Sequence, residues 1–269
     1  YQKWPPGVRP GIDRRQVEDE IMAQASPLVM PAIGLGCGPL KGDEGIGLMA
    51  EAIRMGYRLL DTAQHYGNER EVGEAVRASG VERSEIIVLT KIWPDRLGAA
   101  DVQRAVAESA ERLGLGPIDL LVAHWPNPNI PIAQTMGAFN AARDAGLVRQ
   151  IGVSNFTTRQ LAEAQTVSAA PIVANEVEYH PYLDQGRLIA DARRRGVTVI
   201  AHCPLHRVGP LFAEPVVAAA AVRHGRTPAQ VVLRWHVQQG VVPIPSSHRL
   251  ARLRENISVF DFELTLDEM

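Results

Sequence analysis

The stretch from Asp61 to Glu69, which reads DTAQHYGNE, brings a carboxylate, an imidazole and a phenol close together in the chain. It follows a short apolar run and starts a helical pattern, so it predicts a turn from a strand into a helix. A phenol can give a proton to a carbonyl oxygen when neighbouring groups position and polarise it. Asp61 alone is better explained as a helix cap, so partners for Tyr66 must come from elsewhere in the chain.

Residues that could be such partners end the other apolar runs of the chain. They are Lys91, His124 and Trp125, Ser154 and Asn155, Asn175 and Glu176, His202 and Cys203, and Ser246 and Ser247. Each has a structural explanation of its own, since Lys91 could lie on the surface and His124 could be a hydrogen-bonded core histidine. The structural explanations are less convincing for the whole set than for each residue alone. A lysine and an aspartate that end apolar strands are costly to bury unless they are paired.

A pair between Lys91 and Asp61 would place a positive charge beside Tyr66. This charge favours the phenolate, so we expect it to lower a tyrosine pKa that is about 10 in solution. Tyr66 could then protonate a carbonyl oxygen as hydride reaches the carbonyl carbon, while His124 orients the carbonyl or helps to pass the proton. The spacing of the residues is not that of a metal site, so the sequence predicts no metal and no Lewis-acid route.

The elements that must position these residues alternate along the chain from Pro31 onward. Apolar runs predict strands at residues 32–36, 58–63, 86–91, 119–125, 151–154, 172–178, 198–203 and 241–245. Amphipathic patterns predict helices near residues 43–56, 68–80, 99–114, 132–146, 157–168, 184–196, 227–240 and 249–257. Eight strand–helix units predict an α/β protein with one closed (β/α)8 TIM barrel, whose chemistry lies at the carboxyl ends of the strands. An open dinucleotide-binding sheet would show G-x-G-x-x-G after its first strand, and residues 34–41 lack the third glycine in register.

The composition is that of an ordinary globular protein and limits the partners that we expect. Hydrophobic residues make up 46%, charged residues 22% and the net charge is −2, so neither a nucleic-acid partner nor a membrane span is predicted. The chain shows no apolar core of a signal peptide, which predicts a cytoplasmic location. Cys37 and Cys203 lack metal or redox spacing and are expected to be buried thiols. Residues 1–26 predict an irregular arm with a short helix from Asp13 to Ala25.

Six motifs, in order along the chain, make the sequence similar to the aldo-keto reductase family. They are D-T-A-x-x-Y-G-N-E at residues 61–69, T-K-[IL]-W at 90–93, H-W-P at 124–126, G-[IV]-S-N-F at 152–156, N-x-x-E-Y-H-P at 175–181 and E-N-x-x-V-F-D-F-E-L at 255–264. The resemblance implies a (β/α)8 barrel over residues 27–269 that binds a nicotinamide cofactor, with the last helix and the C-terminal tail truncated. It also implies a catalytic set of Asp61, Tyr66, Lys91 and His124, in a monomer that acts on a small-molecule carbonyl.

The resemblance further implies which residues bind the cofactor, and several of them depart from the family pattern. The implied contacts are Gly38, Ser154, Asn155, Glu176, His202, Cys203, Leu205, Ser246, Ser247, His248, Arg249, Arg252, Glu255 and Asn256. Glu176 stands where the family usually has glutamine, His202 where it has a stacking aromatic ring, and His206 where it has glycine. Ser246 replaces the usual lysine near the 2′-phosphate of the cofactor, but Arg252 keeps the family's arginine. We therefore expect NADPH rather than NADH.

The expected substrate contacts are Trp93 and Trp125, which could equally be packing residues, together with Leu40 and Phe156. Residues 212–256 are most similar to bacterial 2,5-diketo-gluconate reductases, which also reduce methylglyoxal and other small carbonyls. The predicted function is therefore NADPH-dependent reduction of aldehyde or ketone carbonyls, in small dicarbonyls, keto-sugars or aromatic aldehydes. The alternative is a non-catalytic nicotinamide-binding structural or regulatory protein of the same fold. A barrel enzyme of another chemistry, such as an isomerase or a hydrolase, rests on fold analogy alone.

Overall fold

Eight parallel strands form a closed (β/α)8 barrel in the computed structural model, which describes residues 29–206 and 209–269. Each strand pairs with the next in chain order. Backbone hydrogen bonds from Gly34 N to Pro243 O (3.0 Å) and from Gly36 N to Pro245 O (3.1 Å) join the first strand to the last and close the barrel. The predicted fold class is confirmed. The predicted arm at residues 1–26, with its short helix, lies outside the described residues.

Each strand overlaps one of the eight predicted apolar runs, although three of the strands are shorter than predicted by three residues. They are β1 (Leu35–Gly36), β2 (Leu59–Asp61), β3 (Ile87–Ile92), β4 (Ile118–Ala123), β5 (Val148–Ser154), β6 (Ile172–Glu178), β7 (Thr198–His202) and β8 (Val242–Pro243). The shorter strands are β1, β2 and β8. Pro243 and Pro245 have no N–H to donate, so the hydrogen-bond ladder of β8 ends early.

The helices cover the outside of the barrel. They are α1 (Gly42–Arg54), α2 (Glu69–Ser79), α3 (Ala99–Leu113), α4 (Ile132–Asp144), α5 (Thr158–Val167), α6 (Gly186–Arg194), α7 (Gly209–Ala213), α8 (Pro215–His224), α9 (Pro228–Gln238) and α10 (Leu250–Ile257). The sequence patterns do not predict α7 and α8. The stretch of α8, PVVAAAAVRH, is apolar on most sides and leaves Val216 and Val222 exposed, so it shows no polar face at helical spacing. Among the helices of the described residues, none is long and apolar enough to cross a bilayer.

A layer of apolar side chains fills the barrel below the carboxyl ends of the strands. It consists of Leu59, Ile87, Leu89, Leu120, Val122, Ala174, Ile200, Val242 and Ile244. Side chains two residues apart in a strand lie on the same side of that strand. The residues two positions beyond this layer are Asp61, Lys91, His124, Glu176, His202 and Ser246. The barrel therefore presents a polar layer at its carboxyl end, and we call this opening the mouth.

Candidate active site

Lys91 lies at the centre of the polar layer and is fully buried. Its ammonium group donates to Oδ1 of Asp61 and, at 3.1 Å, to the backbone oxygen of Thr62, and it lies 3.3 Å from Oε2 of Glu176. The structure therefore contains the predicted Lys91–Asp61 pair. Burial by itself would lower the pKa of Lys91, but the charges of Asp61 and Glu176 outweigh it and raise that pKa. The ammonium group stays charged at neutral pH.

Tyr66 stands on a single 3₁₀ turn (Gln64–Tyr66), which ends at Gly67 in the left-handed conformation with φ 66°. The centroid of the Tyr66 ring lies 5.2 Å from Nζ of Lys91, so the predicted neighbour is in place. Gly38 faces the same ring, and a Cβ at Gly38 would lie 3.4 Å from Cε2 of Tyr66. The turn and the glycine together hold the phenol at the mouth beside the ammonium group.

The predicted lowering of the Tyr66 pKa is wrong for this structure. Burial raises the pKa of Tyr66 above its usual range, and the charge of Lys91 lowers it by less than burial raises it. The carboxylates of Asp61 and Glu176 raise the pKa further. Tyr66 is therefore a protonated phenol at neutral pH, which is the form that can donate a proton.

His124 is the third member of the predicted constellation and is buried beside Tyr66. The two rings meet edge to face with centroids 5.6 Å apart, and the ring of Trp93 meets His124 at 5.0 Å in the same way. Burial, with the nearby charge of Lys91, lowers the pKa of His124 to about 3. Its Nδ1 is buried without a hydrogen-bond partner in the described part of the chain. A neutral imidazole thus stands ready to orient an oxygen atom bound next to Tyr66.

The aromatic side chains at the mouth include one that the sequence patterns do not single out. The imidazole of His65 stacks on Trp93, with centroids 3.9 Å apart and an angle of 11° between the planes. Trp93 is partly exposed and Trp125 is 48% exposed. Leu40 and Phe156 are buried in the core between the barrel and its helices. Of the four expected substrate contacts, the two tryptophans therefore have surface that a substrate could touch, whereas Leu40 and Phe156 are buried.

Asn68 has a role that the sequence pattern does not predict. This buried side chain donates from Nδ2 to the backbone oxygens of Cys37 (2.7 Å) and Leu40 (3.0 Å), and its Oδ1 accepts from the hydroxyl of Thr62 at 2.7 Å. The turn after β1 is thereby tied to the turn that carries Tyr66. All donors and one acceptor site of the amide are used inside the protein, so Asn68 is a structural support of the site.

Glu69 is a second buried support next to it, at the start of α2. Its carboxylate accepts from the hydroxyl of Thr90 at 2.6 Å and from Nε of Arg112 at 2.6 Å. Thr90 precedes Lys91 in β3, and Arg112 lies in α3. The hydrogen bond and the ion pair of Glu69 together therefore hold β3, the strand that carries Lys91, against helices α2 and α3.

Asn155 links three strand ends, and its backbone has a left-handed φ of 60°. Its Nδ2 donates to the backbone oxygen of His124 (2.9 Å) and to Oγ of Ser154 (3.0 Å). Its Oδ1 accepts from Nε2 of His202 at 3.2 Å, which assigns the proton of that imidazole to Nε2. Burial lowers the pKa of His202, so this ring is neutral. The predicted cofactor residues Ser154, Asn155 and His202 are thus brought together at the mouth.

Glu176 lies beneath them and is buried. Burial is the largest cause that raises its pKa to about 8; the adjacent Asp61 adds to the rise, and Lys91 opposes it. Oε2 of Glu176 has no hydrogen-bond partner among the described residues, although Nζ of Lys91 is near. The neighbouring Asn175 donates to the backbone oxygen of Phe156 at 2.9 Å.

The loop of residues 203–206 follows β7, and two of its residues have a left-handed backbone. The φ angles are 51° for Cys203 and 49° for His206. His206 stands where glycine was expected, and it adopts the conformation that glycine takes freely, at a cost of about 1 kcal/mol. The predicted burial of Cys203 is wrong, because β7 ends before it and its side chain is exposed, whereas Cys37 is buried as predicted.

Three residues near this loop have ligand atoms within 4.8 Å of one another: Glu178, His180 and His206. His180 accepts from the backbone N–H of Tyr182 at Nδ1 (3.2 Å), so its proton is on Nε2, which donates to Glu178 at 3.3 Å. A metal ion at Nε2 would require the proton to move to Nδ1, which already accepts a hydrogen bond. The hydrogen bonds of His180 therefore favour a tautomer that does not offer Nε2 to a metal ion.

The phosphate segment, residues 246–252, follows β8 and carries the predicted contacts to the 2′-phosphate. The hydroxyl of Ser247 accepts from the backbone N–H of Arg249 at 3.1 Å. Ser246, His248, Arg249 and Arg252 are exposed. Among the described residues, no carboxylate or other acceptor contacts the guanidinium group of Arg249 or Arg252.

The two other predicted contacts in this region are less open. Glu255 accepts a hydrogen bond from the hydroxyl of Thr227, and Asn256 is buried. Both lie in α10, directly after the phosphate segment. The hydrogen bond from Thr227 links Glu255, and with it the helix that carries Arg252, to the start of α9.

Known proteins resemble this chain along almost all of its described length. The model of the Aldo/keto reductase family matches residues 32–269. A 2,5-diketo-D-gluconic acid reductase B from Corynebacterium sp. is 47% identical over 237 residues, which cover 88% of this chain and 86% of that protein. A solved aldo-keto reductase enzyme from a Medee basin deep-sea metagenome has a TM-score of 0.85 and 34% identity over 90% of both chains. The aldo-keto reductase of Bombyx mori in complex with NADP has a TM-score of 0.82 and 34% identity, over 89% of this chain and 87% of that one.

Proposed function

Because the chain belongs to the aldo/keto reductase family, it is an oxidoreductase that acts on carbonyl groups with a nicotinamide cofactor, and we propose that it uses NADPH to reduce aldehydes or ketones, with Tyr66 as the proton donor. One observation carries the proposal. A protonated phenol, a charged ammonium group and a neutral imidazole meet at the mouth of a barrel whose interior is otherwise apolar.

Each member of this set has a distinct task in the proposed reaction. Tyr66 gives its proton to the carbonyl oxygen as negative charge develops there. Lys91 stabilises the phenolate that remains, because its ammonium lies beside the ring. Asp61 holds that ammonium in place through the buried pair. His124 orients the carbonyl oxygen by a hydrogen bond from its neutral ring.

The residues around the mouth fit a nicotinamide ring, which would supply the hydride. The buried Oε2 of Glu176 has no hydrogen-bond partner in the described structure, and it can accept from the amide N–H of a carboxamide. The hydroxyl of Ser154 lies on the neighbouring strand and can donate a hydrogen bond. Asn155 already uses its amide inside the protein, so its role in the proposal is to hold Ser154 and His202.

The proposed preference for NADPH rests on the phosphate segment. Arg249 and Arg252 are exposed and, within the described residues, unpaired, so a phosphate gains their hydrogen bonds without breaking an existing ion pair. Arginine binds phosphate through two parallel N–H groups, which suits the 2′-phosphate that distinguishes NADPH from NADH. The bound NADP of the Bombyx mori relative supports the same choice.

The proposed substrates are small dicarbonyls, keto-sugars and aromatic aldehydes. The partly exposed Trp93, with His65 stacked on it, forms an aromatic surface that is continuous with His124. Such a surface accepts a compact carbonyl compound with a planar or apolar body. The name of the Corynebacterium relative, a diketo-gluconic acid reductase, supports keto-sugar acids within this group.

The test is a comparison of NADPH and NADH oxidation with methylglyoxal, an aromatic aldehyde and a keto-sugar acid. We expect carbonyl-dependent oxidation with a kcat/KM at least about tenfold higher for NADPH, which corresponds to roughly 1.4 kcal/mol. Quenching of tryptophan fluorescence measures cofactor binding in the same samples. Binding without oxidation across the panel would support the non-catalytic alternative, and absence of binding would refute the cofactor assignment.

A further inference from the structure

Two buried carboxyl groups face one buried ammonium group at the base of the site. Asp61, Lys91 and Glu176 lie on β2, β3 and β6, and their side chains are 5%, 0% and 2% exposed. If both carboxyl groups were ionised, this enclosed set would carry a net charge of −1. An uncompensated charge in such a position costs several kcal/mol, and a pair of adjacent carboxyl groups commonly retains one proton instead.

The hydrogen-bond capacity of Lys91 leads to the same conclusion. An ammonium group has three N–H donors. One goes to Asp61 and one to the backbone oxygen of Thr62, so one remains for either Glu176 or Tyr66. Glu176 and Tyr66 therefore compete for the same N–H of Lys91, and Oε2 of Glu176 lacks a hydrogen bond in this arrangement.

We propose that Glu176 keeps a proton beside the buried pair of Lys91 and Asp61, and that Glu176 is a positioning residue whose charge decides how firmly Tyr66 keeps its own proton. With that proton on Glu176, the three groups are neutral overall and the third N–H of Lys91 is available to Tyr66. Without that proton, the ionised Glu176 attracts Lys91 and adds a negative charge near the phenol.

The groups that surround this pair do not change charge in the same pH range. They are Cys37 after β1, Tyr66 after β2, His124 after β4 and His202 at the end of β7. Burial raises the pKa of the thiol and of the phenol and lowers the pKa of both imidazoles, so all four are neutral near neutral pH. The pKa of Glu176, raised by burial to about 8, lies in the working range, so this carboxyl group is the one that titrates.

The direction of the effect on Tyr66 follows from the sign of the charge. An ionised Glu176 raises the pKa of Tyr66. As the pH rises above about 8, Glu176 loses its proton and Tyr66 holds its proton more tightly. Reduction requires the protonated phenol, so the native residue extends reduction toward alkaline pH. This consequence rests on the proposed function, whereas the proton on Glu176 does not.

Infrared spectroscopy of the protein without cofactor tests the proton on Glu176 directly. The full-length protein, labelled with ¹³C in the glutamate side-chain carboxyl, should show the C=O stretch of a buried protonated glutamate at neutral pH. We expect this band to fade as the pH is raised through about 8, to be missing in Glu176→Gln, and to persist in Glu178→Gln. Glu178 is a matched control, because it lies two residues along the same strand and is exposed. A native protein without the band at neutral pH would overturn the proposal even if Glu176→Gln failed to fold.

The pH profile of reduction tests the effect on Tyr66. In Glu176→Gln the alkaline decline of kcat/KM should move down by about one pH unit, which is about a tenfold loss at alkaline pH. Glu178→Gln should keep the native profile. An unchanged profile in Glu176→Gln would refute the role of Glu176 as a positioning residue. A protein that shows the infrared band but no reduction of any carbonyl would instead refute the proposed function.

Discussion

The proposed catalytic cluster (Asp61, Tyr66, Lys91 and His124) and the phosphate segment (residues 246–252) lie at the same mouth but are built in opposite ways. Asp61 and Lys91 are buried and paired with each other, whereas Arg249 and Arg252 are exposed and have no partner within the described residues. Folding alone therefore assembles the catalytic cluster. In the phosphate segment, by contrast, the charged side chains have no fixed partner, and a bound ligand must hold them in place. Mutations in the cluster should consequently affect folding and rate, and mutations in the segment should affect binding.

The largest expected effect comes from Lys91→Met, which removes the charge that balances two buried carboxyl groups. We expect a loss of about 3–5 kcal/mol in the free energy of unfolding at neutral pH, because breaking a buried pair leaves a charge uncompensated. Reduction should fall below detection. The destabilisation should shrink as the pH falls, because the carboxyl groups then take up protons. Urea unfolding at several pH values measures this change.

Lys41→Met is the matched control, since Lys41 is exposed at the start of α1. It should leave both stability and activity close to those of the native protein. Equal destabilisation by the two variants would contradict the view that the cluster is assembled by folding.

Tyr66→Phe should lower kcat for reduction by about a thousandfold, which is the usual scale of general-acid catalysis. Cofactor binding, measured by tryptophan fluorescence, should remain, because the phenol oxygen is lost while the ring stays. Tyr179→Phe makes the same change at a hydroxyl that donates to Gln239 at the outside of the barrel, and it should keep the native kcat. Near-normal turnover by Tyr66→Phe would exclude Tyr66 as the proton donor.

Arg252→Ala tests the phosphate segment, where we expect mutations to affect binding. We expect the Kd for NADPH to rise about tenfold or more, since a charge-assisted hydrogen bond contributes roughly 1.5–3 kcal/mol. The Kd for NADH and the free energy of unfolding should stay unchanged, because Arg252 has no partner to lose in the described structure. Arg254→Ala, on the same helix, should not change either Kd. Equal weakening of NADPH and NADH binding would show that Arg252 does not contact the 2′-phosphate.

The smallest expected effect is the absence of an inflection in a pH profile. The pKa of His124 is lowered to about 3, so the ring is neutral at every pH above that value. Between about pH 5 and 8, kcat/KM for reduction should therefore show no step from this histidine, although an ordinary histidine titrates there. His124→Gln should lower the rate without changing the shape of the profile. A step near pH 6.5 that disappears in His124→Gln would contradict the burial of this imidazole.

The sequence predicts the barrel and the members of the catalytic cluster for a simple geometric reason. Parallel strands of a barrel end at one opening, so Asp61, Lys91 and His124, each at the end of an apolar run, are expected to meet there. Periodicity within the strands supports this, because each of the three lies two residues beyond an apolar side chain of the barrel interior.

Three features of the structure could not be predicted from the sequence patterns. The pKa of Tyr66 depends on whether burial or the charge of Lys91 is the larger effect, and the depth of burial is not visible in a motif. The ion pair of Glu69 and Arg112 joins residues far apart in the chain, in two different helices. Helix α8 lacks a polar face, so its sequence does not alternate between polar and apolar residues with the 3.6-residue period that would predict a helix.

The apolar layer inside the barrel also decides how protons reach the site. Leu59, Leu89 and Leu120 in this layer have no exposed surface, and a close-packed apolar interior holds no chain of water molecules. In the proposed reaction, the proton that restores Tyr66 after each turnover would therefore come from the solvent at the mouth, past His124 or His65. The supply of protons would thus be in direct exchange with bulk buffer, with no relay through the body of the protein.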